Sequence, residues 1–284
     1  MKKRNGGFWL AAPAAAGFLV FYFVPFLITI WYSVSFGIGK REFVGWMNYE
    51  DLFRNEMFRL AMKNTCRFLL TSVPVVLTLS LLLAIILQRL QKGAKVLRMI
   101  YFYPMLIPIA STVLGVQFFW GDTGLFNRLA QYRGADPVDW MHSASVFWII
   151  CVLYWWKYTG YHILIFYARL QMLPKAYYES ASLCGAGRIT SFRYITLPLI
   201  FPVIAFNLVL AVMNAFKCYR EAFLLGGNYP DDSIYLLQHF MNNHFRNLNY
   251  QKISAASVTL MSGILLAAGI GWCGYRIVRG KADA

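Results

Sequence analysis

Long runs of apolar residues, separated by short polar segments, set the pattern of this 284-residue chain. A helix that crosses the hydrocarbon core of a bilayer needs roughly 20 predominantly apolar residues, and six segments reach that length. They are residues 8–36, 66–90, 100–120, 145–167, 199–219 and 254–278. Because lipid offers no partner for backbone N–H and C=O groups, each segment is predicted to be a helix. The pattern therefore predicts an all-α polytopic membrane protein with six transmembrane helices, in which residues 1–284 form a single domain.

The first apolar run has some features of a secretory signal, since it follows Lys2, Lys3 and Arg4 and contains the small residues 11–16. A signal has an apolar core of about 7–15 residues, whereas this run continues through residues 18–30. We therefore expect it to remain in the protein as the first membrane span.

Charge is sparse and unevenly distributed along the chain. Charged residues make up 14% of the sequence, against about 25% in soluble domains, and the formal net charge is +15. With six spans, the two termini and the segments near 88–99 and 168–198 share one side, which holds 14 bases and two acids, whereas the other side holds ten bases and nine acids. Because basic loops stay in the cytoplasm, both termini are predicted to be cytoplasmic. The basic excess then reflects topology and attraction to anionic lipid headgroups rather than nucleic-acid binding.

The sequence carries no pattern of catalytic or metal-ligating residues. Its five cysteines include no Cys-x-x-Cys pair, and no cluster of His, Asp and Glu falls within a predicted span. His142, His239 and His244 fall in or near the outer loops 121–144 and 220–253, where we expect ordinary solvated side chains. A phosphate-binding loop is also missing, so energy is expected from an ATPase on another chain or from an ion gradient. No catalytic residue, metal or bound cofactor is therefore expected in this chain.

The last predicted span carries a stripe of small residues. Gly263, Ala267 and Gly271 lie four residues apart, a spacing that lets two membrane helices approach closely. Packing within the chain and an interface with another subunit are both compatible with this stripe.

The segment between the fourth and fifth spans, residues 170–198, is too long for a simple turn. Residues 175–184 favour a helix, and Gly185 is expected to end it in a turn with positive φ. A second helix is predicted over residues 186–196, and Pro198 is expected to begin the fifth span. The result is a helix–turn–helix elbow whose small, flat face suits the docking of another protein.

This elbow resembles the EAA loop of binding-protein-dependent ABC importer permeases. That loop has Glu-Ala-Ala, then Gly-Ala, then Ile-x-Leu-Pro. The corresponding residues here are Glu179-Ser180-Ala181, Gly185-Ala186 and Ile195-Thr196-Leu197-Pro198. The chain departs from the pattern at Ser180, which keeps the face small, and at Cys184, which stands where an Asp often precedes the Gly.

The resemblance covers essentially the whole chain and favours the carbohydrate branch of the family. The segments that carry it outside the elbow are Trp9 to Pro13, Tyr103-Pro104, residues 216–227 and residues 235–257. It implies a type I ABC importer permease fold in a prokaryotic plasma or inner membrane. It also implies a second permease as heterodimer partner, two cytoplasmic ATPase subunits that use ATP, and an extracytoplasmic solute-binding protein.

The resemblance further implies a role for named residues of the elbow. In the family, the first helix of the loop sits in a cleft on the ATPase and transmits its closure to the channel. Carried over residue by residue, the coupling residues are Glu179, Ala181, Gly185 and Ala186. An ordinary amphipathic surface loop is the alternative interpretation of the same segment.

Polar residues in the fourth and fifth spans are candidates for a substrate path. A tyrosine ring stacks on the C–H faces of a sugar while its hydroxyl bonds to sugar hydroxyls, and a charge within a span usually faces a cavity or a partner. The candidates are Tyr154, Lys157, Tyr158 and Tyr161 in the fourth span, and Asn207 and Asn214 in the fifth.

Plainer interpretations exist for the neighbours of these candidates. Trp155, Trp156 and His162 are compatible with lipid-facing or packed aromatic positions. Lys217, Arg220 and Glu221 are compatible with anchoring near the outer leaflet.

The favoured function is that of a permease subunit of an ATP-driven importer for a sugar or oligosaccharide. Lys157 and Lys217 leave an anionic sugar, such as a uronate or a sugar phosphate, as an alternative substrate. A transporter driven by an ion gradient would need acids within spans, where Glu221 is the only candidate. A membrane-embedded enzyme would need a cluster of His, Asp or Glu at membrane depth, which the sequence lacks.

Overall fold

The computed structural model describes residues 6–37, 41–90 and 93–280, with side chains over residues 11–37, 41–90 and 93–271. Some charges that support the predicted topology lie outside the described backbone, namely Lys2, Lys3, Arg4, Lys92, Lys281 and Asp283. The side chains of Trp9, Arg276 and Arg279 also lie outside the described ones.

The described chain is almost entirely helical. In chain order the helices are α1 Gly6–Phe18, α2 Val24–Ser33, α3 Met47–Arg54, α4 Glu56–Arg89, α5 Ala94–Leu106, α6 Ile109–Trp120, α7 Leu125–Tyr132, α8 Val146–Gln171, α9 Lys175–Leu183, α10 Arg188–Ser191, α11 Leu197–Lys217, α12 Tyr219–Gly226, α13 Leu237–Arg246 and α14 Tyr250–Gly280. They are joined in places by the π-helical turns Leu19–Phe23 and Phe192–Thr196 and the 3-10 turn Asp232–Ile234. The strands β1 (Ser35–Phe36) and β2 (Glu42–Phe43) pair antiparallel, with Ser35 opposite Phe43. The predicted all-α class is confirmed.

Helices lie in all six predicted spans. Within the described residues, four stretches are long and apolar enough to cross a membrane: Ala11–Ser33, Glu56–Arg89, Arg188–Gly226 and Tyr250–Gly271. A fifth is present if the bent pair formed by α5 and α6 counts as one span. The remaining predicted segment is covered by α8, which is 26 residues long and rich in Trp and Tyr.

The third predicted span is a broken helix. The chain bends by 96° between Leu106 and Ile109. Ile107 adopts extended backbone angles, φ −70° and ψ 130°, because the ring of the following Pro108 disfavours the helical region for the residue before it. The continuous helix predicted over residues 100–120 is therefore wrong.

Two π-helical turns stand just before prolines that lie inside helical stretches. Pro25 follows the turn Leu19–Phe23, and Pro198 follows the turn Phe192–Thr196. A proline lacks an N–H and its ring presses on the carbonyl four residues earlier, and in both cases that carbonyl belongs to the wider π turn. Arg188–Gly226 therefore forms one candidate membrane stretch, and Pro198 lies in the first turn of α11, where the sequence predicts that the fifth span begins.

The chain divides into two compact units, Met1–Arg59 with Phe240–Ala284, and Leu60–His239. In the first unit, α14 packs against α2 and α3. Asn48 in α3 joins that helix to the end of α2 by donating to the carbonyls of Ser33 and Ser35 at 3.0 Å each. The interpretation of residues 1–284 as a single domain stays a prediction.

In the second unit, α8 is the central helix, and both α5 and α11 pack along it. Gly160 is the point of closest approach to α5, because a Cβ there would collide with the backbone of Tyr101 and Phe102. Ser80 in α4 donates its hydroxyl proton to the Thr159 carbonyl at 3.0 Å on α8. A buried apolar core thus holds α8 from several sides and fixes the polar residues that it carries.

Candidate functional site

The elbow predicted from the sequence is present, and its turn has the expected geometry. The N–H of Ala186 bonds to the Ala181 carbonyl at 2.9 Å, and the N–H of Gly185 bonds to the Ser182 carbonyl at 3.0 Å. This pair of bonds is the Schellman ending of a helix, which places its C′ residue in the left-handed region. Gly185 has φ +77°, so the prediction of a positive φ is confirmed.

The second half of the elbow differs from the prediction. The helix after the turn begins at Arg188 rather than at residue 186, because Gly187 is its extended N-cap residue with ψ 172°. From Arg188 the helix continues through the π-helical turn into α11. Movement at Arg188 would therefore reach the membrane-embedded part of α11 through continuous helical backbone, whereas α9 is joined to this helix by the Gly185 turn.

The elbow rests on the ends of the neighbouring helices. Tyr178 of α9 shares a hydrogen bond with the Thr196 hydroxyl at 2.9 Å. Arg169 at the end of α8 donates to the Leu199 carbonyl at 2.9 Å, and Gln88 at the end of α4 donates to the Leu170 carbonyl at 3.0 Å. Leu173, just before α9, is buried in the cluster that these helix ends share. The elbow is thus held against the ends of α4 and α8 by hydrogen bonds and apolar packing.

The outer surface of the elbow is exposed and chemically mixed. Glu179 is exposed and forms no ion pair within the described part of the chain, while Ala181 and Ala186 are half-buried. Leu183 is 89% exposed and Ile189 is 84% exposed. These two side chains flank the Gly185 turn and present apolar surface that a partner would cover.

Sequence reasoning missed Leu183 and Ile189. The sequence around them has the pattern of an ordinary amphipathic segment, in which apolar residues face the core. Only the exposed fraction of the two side chains in the structure shows that they point away from the core. A signal was present in the pattern, since Leu183 lies two residues before the predicted turn at Gly185 and Ile189 lies four residues after it.

The predicted substrate-path residues of α8 and α11 come together, but most are buried inside this chain. Tyr154 is fully buried and its hydroxyl donates to the Ala211 carbonyl at 2.7 Å. Tyr158 is also buried, with its ring centroid 5.0 Å from that of Tyr154. Tyr161 is half-buried next to His162. As predicted, these residues belong to one helix, and two of the tyrosines serve as core packing.

A buried ion pair joins α8 to α12. The Lys157 ammonium donates to Oε1 of Glu221 at 2.6 Å, and the two residues are 5% and 1% exposed. The interpretation of Glu221 as an anchor near the outer leaflet is therefore wrong. A charge in a low-dielectric interior must find a counter-charge, but the sequence does not indicate that Lys157 finds it in Glu221, 64 residues away.

A second buried polar pair lies further along α8. His162 Nδ1 lies 2.9 Å from Oδ1 of Asn207, and both residues are 0% exposed. Among the described residues, His162 Nε2, Asn207 Nδ2 and Glu221 Oε2 are buried without a hydrogen-bond partner. Buried polar atoms are nearly always satisfied, so each of these three atoms retains the capacity for one more hydrogen bond.

The other polar candidates lie at further positions of α8 and α11. Asn214 is buried, and its Oδ1 lies 3.4 Å from the Lys217 ammonium, which is exposed. Trp155 is half-buried and donates to the Ser72 carbonyl at 3.2 Å, whereas Trp156 is 48% exposed. Trp155 is thus a packed aromatic residue, and Trp156 lies on the surface that lipid would cover.

His239 in α13 differs from its predicted solvated state. It is fully buried, and its ring packs against Tyr219 and Tyr235 with centroids 4.7 and 5.6 Å away. Its Nδ1 accepts the Leu236 N–H at 3.1 Å. Burial lowers the pKa of His239 to about 4, so the neutral ring is the form that this fold holds.

The small-residue stripe on α14 has no neighbour within the described chain. Gly263, Ala267 and Gly271 are exposed, and nothing lies within 4 Å of the position that a Cβ would take at Gly263 or Gly271. The stripe therefore packs against no described part of the chain, and an interface with another subunit stays a prediction.

Comparison with known proteins shows the family to which the chain belongs. Residues 77–277 match the family described as "Binding-protein-dependent transport system inner membrane component". The trehalose/maltose transport system permease protein MalF of Thermococcus litoralis is 30% identical over 263 residues, which cover 90% of this chain and 89% of that protein. The sn-glycerol-3-phosphate transport system permease protein UgpA of Yersinia pseudotuberculosis is 29% identical over 281 residues, 96% of this chain and 94% of that protein.

A solved structure has a similar fold. It is the crystal structure of a bacterial ABC transporter involved in the import of the acidic polysaccharide alginate. One of its chains superposes with a TM-score of 0.78 at 23% identity, and the match covers 93% of each chain. This match confirms the predicted all-α polytopic fold.

Proposed function

Because the chain belongs to the family of binding-protein-dependent transport system inner membrane components, we propose that it is a membrane-spanning permease subunit of an ATP-driven sugar importer. It works in a prokaryotic plasma or inner membrane with both termini in the cytoplasm, as the charge asymmetry supports. Its solute is delivered from outside by a solute-binding protein. The curated relatives described above transport trehalose or maltose and sn-glycerol-3-phosphate.

The elbow is the observation that carries this proposal. Its first helix ends in a closed Schellman turn and exposes Glu179 without an ion-pair partner in the described chain. Its second helix is continuous with α11. An element of this kind receives force from a docked protein and passes it to a membrane helix. Glu179, Ala181, Gly185 and Ala186 are the proposed coupling residues, together with the exposed Leu183.

The buried polar atoms of α8 and α11 support a neutral, hydroxyl-rich solute. The orphaned His162 Nε2 and Asn207 Nδ2 would bond to hydroxyl groups once α8 and α11 part. Lys157 is already neutralised by Glu221, so its charge gives no preference for an anionic sugar. The proposed path residues remain Tyr154, Lys157, Tyr158, Tyr161, Asn207 and Asn214, and we add His162 to them.

The proposed assembly contains a second permease, two cytoplasmic ATPase subunits and the solute-binding protein. ATP is used by the ATPase subunits, and this chain binds no cofactor of its own. The exposed Gly263 and Gly271 of α14 support a close contact with the second permease.

Reconstitution tests the proposed function directly. The chain is purified with its co-purifying permease, ATPase and binding protein and placed in liposomes that contain ATP. Uptake of labelled maltose, trehalose and sn-glycerol-3-phosphate is then measured, since these are the solutes of the relatives described above. We expect uptake that requires ATP and the binding protein. Uptake by this chain alone, driven by a proton or sodium gradient, would overturn the proposal in favour of a secondary transporter.

A further inference from the structure

A groove lies between α5 and α8 on one side of their crossing at Gly160. It has a volume of about 320 Å³ and is lined by Lys95, Arg98, Met99 and Phe102 of α5 and by Leu164 of α8. These residues precede Tyr101 or adjoin it in α5, and Leu164 follows Gly160 in α8. The groove therefore extends from the crossing toward the end of the two helices that adjoins the elbow.

The wall of this groove changes from basic to apolar along α5. Lys95 and Phe102 are seven residues apart, which corresponds to about 10 Å along a helix axis. Lys95 and Arg98 lie at one end, while Met99, Phe102 and Leu164 form the remainder. The groove thus offers a cationic end and an apolar continuation of a length that suits a headgroup and the first methylenes of an acyl chain.

Lys95 and Arg98 have no counter-charge among the residues that the structure describes. Neither forms an ion pair within the described residues, and α5 and α8 contain no Asp or Glu. Arg98 is held in place by its Nε–H bond to the Ala94 carbonyl at 3.1 Å and by the ring of Tyr167, whose centroid lies 4.2 Å from the guanidinium carbon. The cationic end is therefore partly fixed before any anion binds.

From this arrangement we infer that the groove binds one anionic phospholipid, such as phosphatidylglycerol. The phosphate lies against Lys95 and Arg98, and an acyl chain lies along Met99, Phe102 and Leu164. Basic pockets between membrane helices favour anionic headgroups through charge, and the apolar wall adds the burial of methylene groups. A free phosphate would use the first contact only, and a zwitterionic lipid would bring no net charge.

The leaflet assigned to this lipid rests on the proposed function. With the termini in the cytoplasm, Lys95 and Arg98 stand at the cytoplasmic interface, so the lipid occupies the inner leaflet. The geometry of the groove does not depend on which side of the membrane it faces. All of its lining residues belong to one compact unit, Leu60–His239.

Native mass spectrometry of the full chain in a neutral detergent tests the inference. The chain is titrated with phosphatidylglycerol and with phosphatidylcholine, in parallel with the double variant Lys95→Gln/Arg98→Gln. A matched control, Arg89→Gln/Arg193→Gln, removes two exposed bases outside the groove. Two bases near an anionic headgroup strengthen binding by roughly thirtyfold, so we expect the groove variant to lose about that preference and the control to keep it.

Three results would overturn the inference. The first is equal binding of phosphatidylglycerol by wild type and the groove variant, and the second is equal binding of phosphatidylcholine and phosphatidylglycerol by wild type. The third is displacement of the lipid by an excess of inorganic phosphate. The groove variant and the control are first checked for monodispersity. Leu164→Gln changes only the apolar wall of the groove, and it should also weaken lipid binding. Because lipid binding is measured without transport, failed uptake with intact lipid preference would overturn the proposed function alone.

Discussion

At the scale of single residues, the Lys157–Glu221 pair gives the sharpest expectation. Both groups are almost completely buried, so removal of one leaves the other charged and unpaired, at a cost of about 3–5 kcal/mol. Lys157→Met and Glu221→Met should each lower the thermal stability of the purified chain, whereas the double variant should recover most of it. Fluorescence-monitored unfolding in detergent measures the effect.

Arg220→Met is the control for this pair, since Arg220 is exposed beside Glu221 and its loss should leave stability nearly unchanged. If the two single variants unfold like wild type, the charges are not paired inside the protein. A double variant no more stable than the singles would mean that the pair is needed for more than charge neutrality.

His239 predicts how stability depends on pH. Its pKa is about 4 in the folded protein, because burial disfavours the charged ring, against an ordinary value of 6.5. Between pH 6.5 and pH 4 the His239 ring is therefore protonated in the unfolded chain but neutral in the folded chain. The free energy of unfolding should fall as the pH drops from 6.5 toward 4, by about 3 kcal/mol in all. His239→Asn should flatten this part of the unfolding curve, while His142→Asn, at an exposed site, should not.

Gly185 and Gly187 form a matched pair for the elbow turn. Gly185 has φ +77°, whereas Gly187 has φ −71°, and a Cβ at either position would meet no atom within 4 Å. Only Gly185→Ala should therefore strain the backbone, by about 1 kcal/mol. In the reconstituted assembly with Gly185→Ala, we expect the ATPase subunits to hydrolyse ATP while less solute is taken up per ATP hydrolysed. The assembly with Gly187→Ala should behave like wild type. Equal coupling in the two variants would remove the turn from the mechanism.

At the scale of elements, the apolar pattern located the helices well and their breaks poorly. Run length predicts a helix in each of six segments because lipid leaves the backbone no alternative. The break at Ile107 and the unbroken passage through Pro198 both depend on how a proline is accommodated. One proline follows an extended residue and the other follows a π-helical turn, and local sequence does not distinguish these outcomes.

The elbow as an element predicts a charge-dependent docking reaction. Glu179 is exposed on α9 and lacks an ion-pair partner in the described chain, so a basic residue of the ATPase is its expected partner. Glu179→Lys should reduce the amount of ATPase that co-purifies and abolish uptake. Arg193→Glu, a charge reversal of opposite sign at an exposed position on the other half of the elbow, serves as the control and should retain the ATPase. Normal ATPase retention and uptake in Glu179→Lys would exclude this residue from coupling.

At the scale of the whole molecule, the sequence predicted which residues of the candidate site are polar but not which of them face one another. Lys157 and Glu221 are 64 residues apart, and His162 and Asn207 are 45 apart. Each pair forms only because α8 packs against the stretch Arg188–Gly226 in one register. A helical face can be read from spacing within one helix, whereas register between two helices requires the packed core.

Topology is the prediction on which the rest of the mechanism depends. The side that carries the elbow holds 14 bases against two acids, and basic segments resist transfer across the membrane. Because the ATPase works in the cytoplasm, the elbow must face the same compartment. Reporter fusions at Arg188 should therefore report a cytoplasmic location, and fusions at Asp136 and Asp231 an external one. An external Arg188 would separate the elbow from ATP and contradict both the topology and the coupling role of Glu179, whereas the buried pairs of α8 would be unaffected by that result.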